Sequence, residues 1–219
     1  MSEHKKDTDE ADLSEAPSSP KRGISAEDVI RFWFGEPGAA PLANVGLWWK
    51  KDDAFDHAIK ERFEEALERG VCGALGEWES TPHGRLALVV LYDQLSRNMF
   101  RGTPRSFAQD CLARAIAVKA IQAGDEGVLS PVEMKFVLMP FMHAEDAALQ
   151  QKGLDGFLRL RAAATDKKLR ASFDNSVKYA RLHMVIIERF GRFPHRNVIL
   201  GRSTTTEEAD FLKQPHSSF

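Results

Sequence analysis

The fold is decided by the stretch TPHGRLALVVLYDQLSRNMFR, which runs from Thr81 to Arg101. Threonine is a good N-cap, and the proline after it suits the first turn of a helix, where its missing N–H leaves no hydrogen bond unmade. The middle of the stretch is apolar on most sides, and a helix of that kind has to be buried. The sequence therefore predicts a central, well-buried helix that begins at Pro82 and runs to about Arg101.

The segments on either side of this helix also have helical periodicity, and none alternates convincingly in the way of a strand. Capping residues or prolines mark the beginnings of several helices, and Pro140 is expected to end or kink the helix that contains it. We therefore predict an all-α fold of antiparallel helices stacked in pairs and joined by short loops. No clear repeat is found at the period of roughly 34 residues that helical-repeat proteins use. Besides the central helix, helices are predicted from Ser25 to Phe34, from Asp52 or Asp53 to Gly70, from Thr103 to Gly124, from Ser130 to Pro140, from about Glu145 to Ala163, from about Lys167 to Phe190, and over a short stretch after Thr204.

The composition predicts a soluble cytoplasmic protein. Of the 219 residues, 43% are hydrophobic, which is enough for a sizeable core. The formal net charge of -2 argues against nucleic-acid binding, because such domains are usually basic. The 2 cysteines form neither a disulfide framework nor a zinc-binding spacing. No apolar run approaches the length of a membrane span, and the acidic start of the chain is unlike a signal or transit peptide.

The chain divides into one domain and two short tails. Residues 1–23 are rich in Ser, Glu, Asp, Lys and Pro and have almost no large apolar side chain. Such a segment cannot bury enough surface to offset its ordering entropy. We predict that residues 1–23 form a disordered tail, that residues 24–213 form a single all-α domain, and that residues 214–219 form a C-terminal tail.

The central helix becomes polar towards its end. Asp93 and Arg97 continue one apolar face, and Gln94 and Asn98 continue the adjacent one. Polar groups on a core-facing stripe must be paired or face a cavity, because unpaired burial costs about 1–3 kcal/mol each. One interpretation is an internal ion pair between Asp93 and Arg97, which are four residues apart. In the alternative, Asp93 holds Arg97 rigid while Arg97 or Arg101 contacts an anionic ligand.

A second basic cluster follows the helix that ends at Phe190. The chain reads RFGRFPHRN from Arg189 to Asn197 and GRS from Gly201 to Ser203, with no acidic residue in either run. Guanidinium groups fit carboxylate and phosphate oxygens, so the cluster indicates an anionic partner. A helix end alone accounts for the first arginines, the glycine and the proline of the run. It leaves four residues unexplained, which are His195, Arg196, Asn197 and Arg202.

Three histidines are candidates for proton transfer. His143 precedes Glu145 and Asp146 at a helix junction, where a structural role at a helix start is favoured over metal binding. His183 lies beside an apolar helical stripe, where a histidine is more often a hydrogen-bonded core residue than a catalyst. His195 belongs to the arginine-rich run. No metal site is assigned, and the sequence does not identify a cofactor.

Several of these motifs together resemble one bacterial family. The similarity spans roughly Ala26 to Leu212, and its most specific part is the run from Arg189 to Asn197. The chain is similar to the bacterial domain-of-unknown-function family 924. This resemblance implies an all-α fold similar to tetratricopeptide-repeat proteins, and it supplies no reaction and no ligand. The other matching motifs are Phe32-Trp33-Phe34-Gly35, Asp93-Gln94, Arg97-Asn98, Arg101-Gly102-Thr103, Met139-Pro140, Met142-His143 with Glu145, and Leu200-Gly201-Arg202-Ser203-Thr204.

The leading functional hypothesis is a polar cleft that binds a small anionic molecule, with or without catalysis upon it. The candidate catalytic residues are His195, His183 and His143. One alternative is a helical-repeat scaffold that binds an acidic peptide or a partner protein. In a further alternative, the polar residues only hold the helices together. The candidate ligand contacts are Asp93, Arg97, Asn98, Arg101, Arg192, Arg196, Asn197 and Arg202.

Overall fold

The computed structural model describes residues 23–218, and all regular structure within this range is helical. The all-α prediction is therefore confirmed. The predicted N-terminal tail, residues 1–23, lies outside the described residues except for Gly23. The α-helices are α1 (Ala26–Phe34), α2 (Val45–Trp48), α3 (Asp53–Val71), α4 (Pro82–Val89), α5 (Ser96–Met99), α6 (Asp110–Gln122), α7 (Pro131–Met142), α8 (Ala147–Ala163), α9 (Lys167–Phe190) and α10 (Thr206–Phe211).

Shorter helical segments connect these helices. A π-helical segment, Val90–Leu95, joins α4 to α5 without a break. The 3-10 turns are Gly76–Ser80, Pro104–Phe107, Asp125–Gly127 and Pro194–Arg196.

Capping residues begin the helices where the sequence predicts them. The Ser25 hydroxyl accepts from the N–H of Asp28 at 3.2 Å, and the Ser130 hydroxyl accepts from the N–H of Glu133 at 3.3 Å. The acidic side chain of each pair accepts in return from the N–H of the capping serine. Each cap is worth about 1 kcal/mol, and it can be read from the local sequence alone.

Two predicted helix boundaries are wrong. The helix expected from Thr103 begins instead at Asp110, because hydroxyl groups of Thr103 and Ser106 donate to nearby carbonyls and hold the chain in a tight turn. The helix expected to end or kink at Pro140 does not end there and continues as α-helix to Met142. Phe141 and Met142 are buried, so core packing outweighs the hydrogen bond that proline cannot make.

The central helix is buried as predicted. The apolar residues from Leu86 to Leu91 are at most 1% exposed, and α1, α6 and α7 pack against α4. The 3-10 turn Gly76–Ser80 also packs on α4, where Gly84 lies against the backbone of Trp78. The helices α7, α8 and α9 pack in succession beside this core. None of the helices between residues 23 and 218 is both long and apolar enough to cross a membrane.

The π-helical segment is the irregular part of the central helix. At its end the N–H of Ser96 donates to the carbonyl of Leu91, five residues back. Wide turns of this kind are rare and occur frequently at functional sites. Asp93 and Gln94 both belong to the segment and are buried. The irregularity therefore lies where the sequence changes from apolar to polar.

Candidate functional site

A cavity of about 740 Å³ lies between the end of the central helix, α7, α9 and the chain around the 3-10 turn Pro194–Arg196. No aspartate or glutamate is among the described residues that line it. Its cationic lining consists of Lys50, Lys51, Arg97, Arg101, Lys135 and Arg196, and its histidines are His143, His183, His195 and His216.

Helical spacing places these side chains on the cavity wall. On α7, Lys135, Met139 and Met142 follow one another at intervals of three or four residues and share one face. His143 is the C-cap of the same helix. A second groove, of about 490 Å³, lies along α8 and α9, but its lining mixes acids with bases. Of these two depressions, the cavity therefore has the more distinctive charge.

Asp93 anchors the charged groups at one end of the cavity. This fully buried carboxylate accepts from His143 Nδ1 at 2.7 Å, from Arg97 at 3.3 Å and from the side-chain amide of Gln94. Burial would raise the pKa of Asp93, but His143 and Arg97 outweigh it and hold that pKa well below its usual range. Asp93 is thus an anion that fixes the orientation of both neighbours.

Asp110, at the start of α6, joins the two arginine clusters that the sequence singled out. Its carboxylate accepts from Arg97 at 2.7 Å and from Arg196 at 3.2 Å. Arg196 also donates to the carbonyl of His143 at 3.1 Å and lies between the rings of Phe107 and Phe193, 4.6 and 4.5 Å from their centroids. Burial and the nearby Arg97 lower the pKa of Arg196 to about 10. The polar end of the central helix and the run after α9 therefore meet at one place.

Arg101 and Asn98 are held by a third carboxylate, Asp56 of α3. Arg101 donates to Asp56 at 2.6 and 3.0 Å, and Asn98 donates at 2.7 Å. Each arginine at this end of the cavity thus has an acidic group behind it, while all three line the cavity themselves.

Three histidines of the site, His143, His183 and His195, are neutral at physiological pH. His183 donates from Nδ1 to the carbonyl of Tyr179 at 2.8 Å, and its ring centroid lies 6.1 Å from that of His143. Burial lowers the pKa of His143, lowers that of His183 to about 3 and lowers that of His195 to about 4. Between residues 23 and 218, no group of three or more His, Cys, Asp or Glu side chains is arranged to hold a metal ion.

Lowering the pH is expected to destabilise the fold through His183. Its pKa is about 3 in the folded chain, against about 6.5 for an unperturbed histidine. Because the folded value is the lower one, the unfolded chain binds a proton that the folded chain excludes at pH values between them. We expect His183 to contribute a fall in the free energy of unfolding on the order of 1 kcal/mol per pH unit below about pH 6, and His195, whose pKa is also lowered, acts in the same direction. Urea denaturation at a series of pH values measures this slope.

In the variant His183→Gln, the free energy of unfolding should depend less steeply on pH, because glutamine cannot take up a proton in the unfolded chain. His57→Gln, at an exposed position on α3, is the matched control and should keep the wild-type slope. Carboxylates such as Asp93 act in the same direction only near and below about pH 4. A His183→Gln slope equal to that of the wild type would contradict the interpretation.

Four predicted contacts lie outside the cavity lining: Asp93, which is described above, and Arg192, Asn197 and Arg202. Arg202 forms a two-point ion pair with Glu145, at 2.7 and 2.9 Å. Arg192 does the same with Glu208, at 2.7 and 2.9 Å, and Asn197 donates to that same carboxylate at 3.3 Å. These side chains fix the run after α9 to α10 and to the chain before α8. The segment that they fix contains His195 and Arg196.

The sequence model of one family, described as bacterial protein of unknown function (DUF924), matches the chain over residues 29–216. The chain belongs to the DUF924 family. A similar solved structure is that of ATU0120 from Agrobacterium tumefaciens, described as a protein of unknown function. It is 38% identical in sequence, with a TM-score of 0.71 over 86% of this chain and 96% of that one. No curated protein is significantly similar to the chain.

Several residues of this DUF924 site were missed by the sequence analysis. Asp110 could not be found, because it meets Arg196 across 86 residues. Lys135 did carry a signal, as the lone charge within the apolar part of α7. Trp48 fastens the chain after α1 to the core, with its ring N–H donating to the Trp33 carbonyl at 2.8 Å. Trp49 is half-exposed and lines the cavity.

The C-terminal segment also reaches the site of this DUF924 chain. His216 and Ser218 line the cavity, and Ser217 is buried. The backbone of Ser217 forms a hydrogen bond with the ring of His195. Within its described part, the predicted C-terminal tail therefore folds back onto the domain.

Proposed function

We propose that the cavity binds a small anionic molecule and that Arg97, Arg101 and Arg196 provide its principal contacts. The observation that carries this proposal is the lining itself, which has several cations and, among the described residues, no carboxylate. The guanidinium groups of these arginines are held in place by three carboxylates behind them, those of Asp56, Asp93 and Asp110. Groups that are fixed in advance lose little conformational entropy when a ligand binds.

The side chains of Arg97 and Arg196 are only partly satisfied within the described chain. The Nε atoms of Arg97 and Arg196 are buried and have no hydrogen-bond acceptor among residues 23–218. Burial and Arg97 also make the charge of Arg196 less favourable, as its lowered pKa indicates. An anion in the cavity would offset that repulsion, because opposite charges attract strongly where water is excluded.

His143 is the group best placed to exchange a proton with such a ligand. Its Nδ1–H donates to Asp93, so the lone pair of the neutral ring is on Nε2. A carboxylate that fixes the tautomer of a histidine is the arrangement used in general acid–base catalysis. We propose His143 as the proton acceptor, with Asp93 as its positioning residue. His183 and His195 remain candidates for the same role.

The size of the cavity supports a small molecule over an acidic peptide. Pockets for small ligands usually have volumes of about 300–1,000 Å³, and 740 Å³ lies within that range. The successive packing of α7, α8 and α9 also supports the expected likeness to tetratricopeptide-repeat proteins. Cys72 and Cys111 are free and exposed, which favours a reducing, cytoplasmic location.

A small multivalent anion is expected to raise the melting temperature of the wild-type protein. The multivalent probes are inorganic phosphate, pyrophosphate and citrate, and the monoanion pyruvate is compared with them at equal ionic strength. A ligand at 100 times its Kd stabilises the folded state by about 2.7 kcal/mol, which corresponds to roughly 5–10 °C for a chain of this size. Thermal unfolding finds the effective probes, and isothermal titration calorimetry measures their Kd.

The variants Arg97→Lys and Arg196→Lys should weaken binding of the best probe at least about tenfold, because lysine keeps the charge but loses the fork. Arg189→Lys is the matched control, since Arg189 pairs with exposed Glu207 away from the cavity. If no probe raises the wild-type melting temperature, or if both lysine variants bind as the wild type does, the proposal fails.

A further inference from the structure

Lys135 lies in the same cavity, towards the end opposite His143. It is only 5% exposed, and its position on α7 is eight residues before His143. At 1.5 Å per residue, that separation is about 12 Å along the helix axis. The cavity is therefore long enough to place one end of a small molecule near Lys135 and the other near Arg97.

The environment of the Lys135 amine is aromatic. Its Nζ lies 5.0 Å from the ring centroid of Trp49, 5.7 Å from that of Trp48 and 5.8 Å from that of Phe136. Its hydrogen-bond partner in the described chain is the hydroxyl of Ser172, at 3.3 Å. It forms no ion pair with a carboxylate of residues 23–218, and burial lowers its pKa to about 8.

A purely structural role accounts poorly for this amine. Contacts with aromatic rings are worth about 0.5–2 kcal/mol and offset part of the cost of burying a cation. A methionine or leucine at this position would fill the same space without that cost. Burial among apolar groups is, however, a common way in which proteins make a lysine nucleophilic, because it favours the neutral amine.

We propose that the Lys135 amine forms a reversible imine with an aldehyde or ketone group of the ligand. The substrate class is then a small carbonyl compound that also bears a carboxylate or phosphate. The anionic part of this assignment rests on the proposed function of the cavity, whereas the reactivity of the amine rests on its own surroundings.

The reaction needs no co-reactant beyond the carbonyl compound. The lone pair of Nζ attacks the carbonyl carbon, and the π electrons of the C=O bond move to oxygen. Transfer of a proton from nitrogen to that oxygen gives a carbinolamine. Protonation of the hydroxyl and expulsion of water then leave a C=N bond, and hydrolysis reverses every step.

Reductive trapping tests the imine directly. The full-length protein is treated with succinic semialdehyde and sodium cyanoborohydride, which reduces the imine to a stable secondary amine, and peptide mass spectrometry quantifies each lysine. Lys152 is the internal control, because it is exposed and also lies over an aromatic ring, that of Phe141. Butyraldehyde, which lacks the carboxylate, is the matched probe.

We expect succinic semialdehyde to label Lys135 roughly tenfold faster than Lys152 near pH 7.5, since a larger neutral fraction outweighs a weaker nucleophile. Butyraldehyde should label Lys135 more slowly than succinic semialdehyde does. The variant Lys135→Arg should lose this adduct while Lys152 is still labelled.

Different results separate the two proposals. No excess of labelling at Lys135 over Lys152 with either aldehyde overturns the imine, and the thermal shifts by phosphate or citrate then decide the anion site by themselves. Equal labelling of Lys135 by both aldehydes overturns the anionic substrate class while leaving the reactive amine supported.

Discussion

Replacement of Asp93 with asparagine is expected to lower the free energy of unfolding by about 3–5 kcal/mol, the cost of breaking a buried ion pair. Asp93 is fully buried and is the acceptor for both Arg97 and His143. The amide of asparagine carries no charge, so Arg97 would keep only Asp110 as its counterion. Chemical denaturation of Asp93→Asn and wild type at pH 7 measures the difference.

An exposed pair provides the matched control. Glu27 and Arg31 are also four residues apart on a helix, and both side chains are largely in solvent. Glu27→Gln should leave the free energy of unfolding nearly unchanged, because exposed ion pairs contribute little. If Asp93→Asn is as stable as Glu27→Gln, the buried carboxylate does not hold the site together.

The variant Gly84→Ala is expected to be destabilised by about 3 kcal/mol or more, at or beyond the usual upper limit for overpacking. A Cβ at this position would lie 2.0 Å from the carbonyl oxygen and 2.8 Å from the carbonyl carbon of Trp78. Both atoms belong to backbone, which cannot rotate away as a side chain can. The 3-10 turn Gly76–Ser80 would have to move off α4. Thermal and chemical unfolding both measure the loss.

Gly76→Ala separates this clash from the general effect of replacing glycine. No heavy atom lies within 4 Å of a Cβ built at Gly76, and its φ is not in the left-handed region. An added methyl group there should be neutral or slightly stabilising, because it restricts the unfolded chain. Equal stability of Gly84→Ala and Gly76→Ala would contradict the prediction and show that the 3-10 turn moves off α4 at little cost.

The sequence predicts those parts of the fold that depend on neighbouring residues. The caps at Ser25 and Ser130 involve a side chain and an N–H three residues later, so a few letters identify them. The course of the chain through Pro140 depends instead on the burial of Phe141 among distant helices. A proline read alone predicts a break, and tertiary packing overrides it.

The candidate site likewise combines contacts between sequence neighbours, which the sequence predicts, with contacts between distant residues, which it does not. Asp93 and Arg97 are four residues apart on one helix, and their pairing follows from that spacing. The meeting of Arg97 with Arg196 depends on Asp110, which belongs to another helix. The two-point ion pair of Arg202 with Glu145 likewise joins residues 57 positions apart. Local patterns can select the arginines, but only the folded chain distinguishes those that line the cavity from those that fix the loop.

The π-helical segment Val90–Leu95 allows one helix to serve both the core and the cavity. A wide turn accommodates one residue more than an α-helical turn, so it acts as a single-residue insertion and changes the phase of the following helix by about 100°. The apolar side of α4 can keep its alignment with the core while Arg97 in α5 points to the cavity. The additional residue in the π-helical turn therefore sets the angle between the two faces, and no individual side chain has to impose it.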